Sequence, residues 1–283
     1  MKNENFKSEI KLWLCRHGET TVNMYNCVQG QRINPPLNDR GRKQAEYLGE
    51  YFKNKSIDFI AFSVSERAKE TAQAVAQYHT SAPQKSYKEL VELEFGALEG
   101  KHVSQGYTDL IEKWDKKHEV YLEAPTGITK GESPVDCLKR LLPGIKDVIN
   151  TCKTNDYKEA VLVVHSRVIQ ILMSYLVDKD LNNMARYKQG KAASNQLSIK
   201  FGGQNDKGGK VGERSSLSEF VDDEGFFDGL NIGADIVNNT EYIPQDVLSK
   251  VSSESWILNP QPHNQYIYFD VSANGRCELK QST

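Results

Sequence analysis

The chain has 283 residues, enough for one large domain, and its 38% hydrophobic and 26% charged content is that of an ordinary globular protein. A net charge of −2 creates no field that would recruit nucleic acid or an anionic membrane, and no apolar run reaches the roughly 18 residues of a transmembrane helix. The polar start, MKNENFKSEI, lacks the apolar core of a signal peptide. Five scattered cysteines (Cys15, Cys27, Cys137, Cys152, Cys277) with no CxxC suit a reducing compartment, so a cytoplasmic location is expected.

Residues 10–15 read as a buried strand that ends in Arg16-His17-Gly18-Glu19. Residues 38–53 then place Ala45, Leu48 and Phe52 on one helical face. Residues 57–62 are a second apolar run, and residues 65–78 a second helix with Ala68, Ala72, Val75 and Ala76 inward. A short strand is expected over 86–91, and an amphipathic helix over 104–121 through Tyr107, Leu110, Ile111, Trp114 and His118. Ser133-Pro134 has the form of an N-cap followed by proline at the first helical position. The stripe Leu138, Leu141, Leu142, Ile145, Ile149 and Cys152 carries this helix to Thr154, with Pro143 expected to kink or break it.

Residues 160–164 are strand-like and lead into an apolar helix over 168–177. Residues 196–201 form another strand. At Gly202 the composition shifts to GGQNDKGGKVGERSS, the chemistry of a flexible loop, with order resuming around 220–243. Residues 266–271, the Asn274-Gly275 pair and residues 276–280 read as a hairpin with a tight turn. Strands alternating with helices predict an α/β fold: three layers, α/β/α, around a mostly parallel sheet. The expectation is one domain over 1–283, with 203–262 a partly flexible insertion or lid before the last strands.

Ligands of open α/β sheets bind beyond the carboxyl ends of the strands. Two strands end in histidine, His17 and His165. A single histidine at a strand end is ordinarily structural, but two of them point to a shared pocket. The helix that starts after His165 offers free N–H groups and a dipole to an anion. Arg16 adjoins the first histidine, and Arg67 opens a helix. Alone, Arg67 is most plainly a solvated helix residue, yet the planar guanidinium forks of Arg16 and Arg67 match phosphate oxygens. Glu89, Glu92, Glu94 and Glu99, in ELVELEFGALEGK, are the nearby candidates for a proton donor.

In order, Arg16-His17-Gly18-Glu19-Thr20 with Asn23, then Pro36-Leu37, Gly41, Gln44 and Ala45, then Ser63, Arg67, Ala68, Thr71 and Ala72 follow one pattern. So do Leu90, Glu92, Gly96, Glu99 and Gly100, Gly131-Glu132-Ser133 with Arg140, His165, and Asn195. Over about 190 residues this pattern resembles the histidine phosphatase superfamily, the phosphoglycerate-mutase-like family. The resemblance implies that His17 is the nucleophile and that Arg16, Arg67 and His165 surround the transferring group. It further implies that Glu92 is the acid, that Asn23 and Gly18 help to hold the phosphate, and that no metal or cofactor takes part. His17 must then be neutral while Glu92 is protonated, which conflicts with their ordinary pKa order unless the fold shifts one or both.

The chain departs from the family in having Ser166-Arg167 where glycine usually follows the second histidine. Ser166 still supplies a backbone N–H. Arg167 is most plainly a solvated helix residue; pointing inward, it would bind a second anionic group. Glu132 either braces an arginine or simply starts a helix. The short segment after Glu92 resembles phosphatase branches more than mutases. The expectation is a phosphomonoester hydrolase acting on a phosphorylated small molecule or a phosphoprotein, with no nucleic acid or membrane partner. Mutase-type transfer and an inactive scaffold are the alternatives.

Overall fold

Alternation along one strand decides the layering. In β1 (Ser8–Arg16), Ile10, Leu12 and Leu14 pack into one core and Trp13 and Cys15 into another, so the strand is buried on both faces. The computed structural model describes residues 8–115, 125, 130–201, 226–227, 230–248, 267–271 and 277–281. Its other strands are β2 (Phe59–Ser63), β3 (Gln84–Tyr87), β4 (Glu159–Val164), β5 (Ser194–Phe201), β6 (Leu230–Asn239), β7 (Ile267–Val271) and β8 (Cys277–Gln281). The first six form one sheet in the order β3-β2-β4-β1-β5-β6. The pairs β3/β2, β2/β4 and β4/β1 are parallel; β1/β5 and β5/β6 are antiparallel.

The helices are α1 (Thr21–Met24), α2 (Asp39–Phe52), α3 (Glu66–Ala76), α4 (Tyr107–Asp115), α5 (Pro134–Thr154), α6 (Ser166–Met173) and α7 (Gln245–Leu248). Side chains of α2, α3 and α7 share the core with Trp13 and Cys15, and those of α4, α5 and α6 the core with Leu12 and Leu14. This is the expected three-layer α/β/α fold with a mostly parallel sheet. Among the described residues no helix is long and apolar enough to cross a membrane. Cys15, Cys27, Cys137 and Cys152 are buried free thiols.

Two expectations change. Pro143 does not break its helix, for α5 runs unbroken over 21 residues behind a capping box between Ser133 and Asp136. A helix-interior proline costs about 3 kcal/mol. Burying each of Leu138, Leu141, Ile145 and Ile149 returns roughly 1.5–3 kcal/mol, so packing on both sides of Pro143 holds the helix together. Second, the strand expected over 86–91 lies earlier, as β3, and leaves residues 88–95 to form a loop.

Within residues 203–262, order resumes inside the expected 220–243. β6 arises inside that range and becomes the sheet edge, and α7 follows it, with Gln44 Nε2 donating to the Val247 carbonyl at 3.1 Å. Separately, β7 and β8 pair antiparallel from Ile267↔Gln281 to Val271↔Cys277. The Asn274-Gly275 turn, the glycine-rich segment after Gly202 and His118 lie outside the described residues.

Candidate active site

Parallel pairing brings the two histidines together. Because β1 and β4 are neighbours in register, Arg16 opposite Val164, the residues that follow them leave the sheet side by side. The rings of His17 and His165 stand 5.3 Å apart, centroid to centroid. β2 lies on the other side of β4, and Ser63 at its end is hydrogen-bonded to His165 Nε2 at 2.9 Å. β3, parallel to β2, sends its following loop, with Glu92, to the same end of the sheet.

His17 is buried, and its Nδ1 lies 2.6 Å from the carbonyl oxygen of Gly18. A carbonyl only accepts, so Nδ1 carries the proton and Nε2 of the neutral ring keeps its lone pair. Gly18 is itself fixed, its N–H donating to Thr71 Oγ1 at 3.1 Å, and a Cβ there would collide with the Gly41 carbonyl. Gly18 is absent from the cavity wall described below. The Gly18 carbonyl thus orients the imidazole.

Arg67 is only 1% exposed, which overturns the solvated reading. It donates from Nη2 to the Gly30 carbonyl at 3.0 Å and from Nη1 to the Ile33 carbonyl at 3.3 Å. Burial lowers its pKa to about 10, with Glu92 and Glu99 opposing, so it stays charged near neutrality. Arg16 donates from Nη1 to the Gln189 carbonyl at 2.6 Å, and the Gln189 amide is in turn paired with that of Asn195. Arg16 Nε, Arg67 Nε and His165 Nδ1 are buried with no protein partner.

Glu92 is buried, accepting from the backbone N–H of Leu93 at 2.9 Å and of Arg167 at 3.3 Å. Desolvation raises its pKa above the usual carboxylate range, although those hydrogen bonds and the Arg67 and Arg16 charges pull the other way. Desolvation, with Arg67, His165, Arg16 and Lys191, holds His17 well below its usual 6.5. The two shifts run in the directions that the conflicting protonation states demand.

A second layer holds the Glu92 loop. Arg140 donates to both Glu132 carboxylate oxygens, at 2.6 and 2.7 Å, and to the carbonyls of Glu89, Val91 and Glu92. Ser133 is the N-cap of α5, so Glu132 stands outside the helix and braces Arg140. Removing the clamp leaves Glu132 without its cation and three carbonyls without a donor. Arg140→Ala is expected to cost roughly 3 kcal/mol of stability by urea denaturation. The same variant should lower kcat/KM by about tenfold or more as Glu92 loses its position.

Arg16, His17, Asn23, Glu92, Ser166 and Arg167 line one cavity of about 170 Å³, with Gln29, Tyr107 and Lys191 among its other walls. Arg67 and His165 are not on that wall but are buried beside it. Arg167 is 7% exposed and faces the cavity, so its solvated reading also fails. Gln29, Tyr107 and Lys191 carried no motif and entered the site through tertiary contact alone. No group of three or more His, Cys, Asp or Glu that could hold a metal ion occurs among the described residues.

Two histidines, an orienting carbonyl, buried arginines and a buried carboxyl thus converge at the carboxyl edge of an α/β sheet. The chain belongs to the histidine phosphatase superfamily (branch 1), whose profile matches residues 12–207. It is 28% identical over 180 residues to the rat 6-phosphofructo-2-kinase/fructose-2,6-bisphosphatase 4, covering 59% of this chain and 33% of that protein. The chain thus spans only a third of that relative's length. It is also 25% identical over 171 residues to a broad-specificity phosphatase of Saccharomyces cerevisiae, covering 59% and 70% of the two chains. The structure of a mycobacterial glucosyl-3-phosphoglycerate phosphatase shares the fold with a TM-score of 0.64 at 23% identity, over 82% of this chain and all of that one.

Proposed function

We propose that the chain is a phosphomonoester hydrolase that works in the cytoplasm without a metal and passes through a phosphohistidine. The observation that carries this reading is the 2.6 Å contact between His17 Nδ1 and the Gly18 carbonyl, which leaves Nε2 with its lone pair at the cavity wall.

In the first step His17 Nε2 attacks phosphorus, the P–O bond to the leaving alcohol breaks, and the proton of Glu92 goes to the departing oxygen. Arg16, Arg67 and His165 surround the equatorial oxygens, and the partnerless Nε groups of Arg16 and Arg67 supply donors for them. In the second step water attacks phosphorus and gives a proton to the Glu92 carboxylate. The P–N bond breaks and neutral His17 is regenerated. The substrate is a phosphorylated small molecule or phosphoprotein; the modest cavity favours a compact phosphorylated group.

The direct test is hydrolysis of p-nitrophenyl phosphate from mildly acidic to neutral pH, with chelator present and no bisphosphorylated primer. Turnover is expected, with an acid-labile, base-stable phosphoenzyme trapped on brief quenching. Turnover only after a primer is added would establish mutase-type transfer instead; none under either condition would leave the scaffold alternative.

A further inference from the structure

The arginines among the described residues sort into two sets. Arg32, Arg40, Arg42, Arg140 and Arg186 each pair with a carboxylate, respectively Glu94, Glu19, Asp39, Glu132 and Asp178. Arg16, Arg67 and Arg167 enter no such pair among the described residues, and all three meet at the candidate site. A buried guanidinium without an anion is costly, and a protein keeps one where an anionic ligand completes it. Arg16 and Arg67 are accounted for by the phosphoryl group. Arg167 is not.

Its surroundings give it a different task. Among the described residues its side chain is held by neutral groups, with Nη1 donating to Gln170 Oε1 at 2.7 Å and Nε to the Tyr107 hydroxyl at 3.4 Å. The guanidinium carbon lies 6.0 Å from the centre of the Tyr107 ring. These contacts orient the fork while leaving its charge unneutralised. The backbone N–H of the same residue donates to Glu92, the proposed acid. The acid marks where the leaving oxygen sits, so Arg167 stands on the leaving-group side of the cavity. Lys191 and Tyr107 share that wall.

We propose that Arg167, with Tyr107 and Lys191, forms a second anion subsite on the leaving-group side. The preferred substrate is then a compact phosphomonoester whose alcohol carries a further carboxylate or phosphate. This rests on the phosphomonoesterase reading above, and the cavity of about 170 Å³ keeps the two anions within a few bonds of each other.

The test compares propyl phosphate with its chain-matched analogues bearing a terminal carboxylate or a terminal phosphate. For wild type, kcat/KM is expected to be about 10–100-fold higher for at least one charged analogue, the span of one charge-assisted, bidentate contact. Which analogue gains more separates a carboxylate from a phosphate partner. Arg167→Ala should collapse that ratio towards unity, and Arg167→Lys, which keeps charge but not the fork, should restore part of it. Dissociation constants for the same esters, measured calorimetrically in a His17→Ala background, should show the same ordering. A wild-type protein that treats all three esters alike, in turnover and in binding, overturns the proposal; so does a ratio that survives Arg167→Ala. Discrimination in binding with no turnover of any ester would instead sink the hydrolase reading and leave the subsite standing.

Discussion

His17→Ala is expected to lower kcat for p-nitrophenyl phosphate by about 10⁴-fold or more, because it removes the atom that, in the proposed mechanism, bonds to phosphorus. Arg16, Arg67, His165 and Glu92 would remain, but positioning and charge stabilisation have nothing to act on without a nucleophile. His17 is buried, so an alanine also leaves a small gap and a Gly18 carbonyl without its donor. His17→Asn separates chemistry from folding, since an amide offers Gly18 a donor but no comparable nucleophile. Both variants should lose the quench-trapped phosphoenzyme, with His17→Asn unfolding close to the wild-type temperature. Turnover that persists in purified His17→Asn would place the nucleophile elsewhere.

Glu92→Gln should remove the basic limb of the kcat/KM profile. The proposed mechanism requires His17 neutral, hence a pH above its pKa, and Glu92 protonated, hence a pH below its own. At their ordinary values, 6.5 for histidine and 4.5 for the carboxyl, the order is wrong and few molecules hold both states together. Burial moves both groups in the helpful direction, lowering His17 and raising Glu92. A bell-shaped profile with its maximum on the acidic side of neutrality is expected, its acid limb from His17 and its basic limb from Glu92. An amide in place of this carboxyl cannot protonate the leaving oxygen, so kcat for an alkyl phosphate should fall by roughly 10²–10⁴-fold. The loss should be smaller for p-nitrophenyl phosphate, whose leaving group needs less protonation. An unaltered profile in Glu92→Gln would assign the proton transfer to another group.

Much of this site is visible along the chain. Strand-end position nominates His17 and His165, with Arg16 beside the first, because a strand running into polar residues at its carboxyl end is a local pattern; the family resemblance is what singles out Arg67, and Glu92 from among four glutamates. The helices α2, α3 and α5 are equally legible, through their apolar stripes and through Asn38, Ser65 and Ser133 at their starts. β6 is harder to read. As an edge strand it is only partly buried, and its sequence, LNIGADIVNN, carries a correspondingly weak apolar signal.

The sequence by itself determined the alternation of strand and helix, the family, and the candidate residues of the site. The alternation depends on neighbours within a turn or two, the family and the candidates on short motifs kept in order over about 190 residues. Tertiary structure alone decided the states of those residues. His17 presents Nε2 because the Gly18 carbonyl takes the Nδ1 proton, and Gly18 lies so close to Gly41, in a separate helix, that a Cβ there would collide with it. Arg67 and Arg167 are equally plain helix-surface residues along the chain. They become buried cations because loops and helices far away in sequence close over them. Desolvation and charge pairing are properties of assembled surroundings, and no periodicity in the chain encodes which segments will supply them.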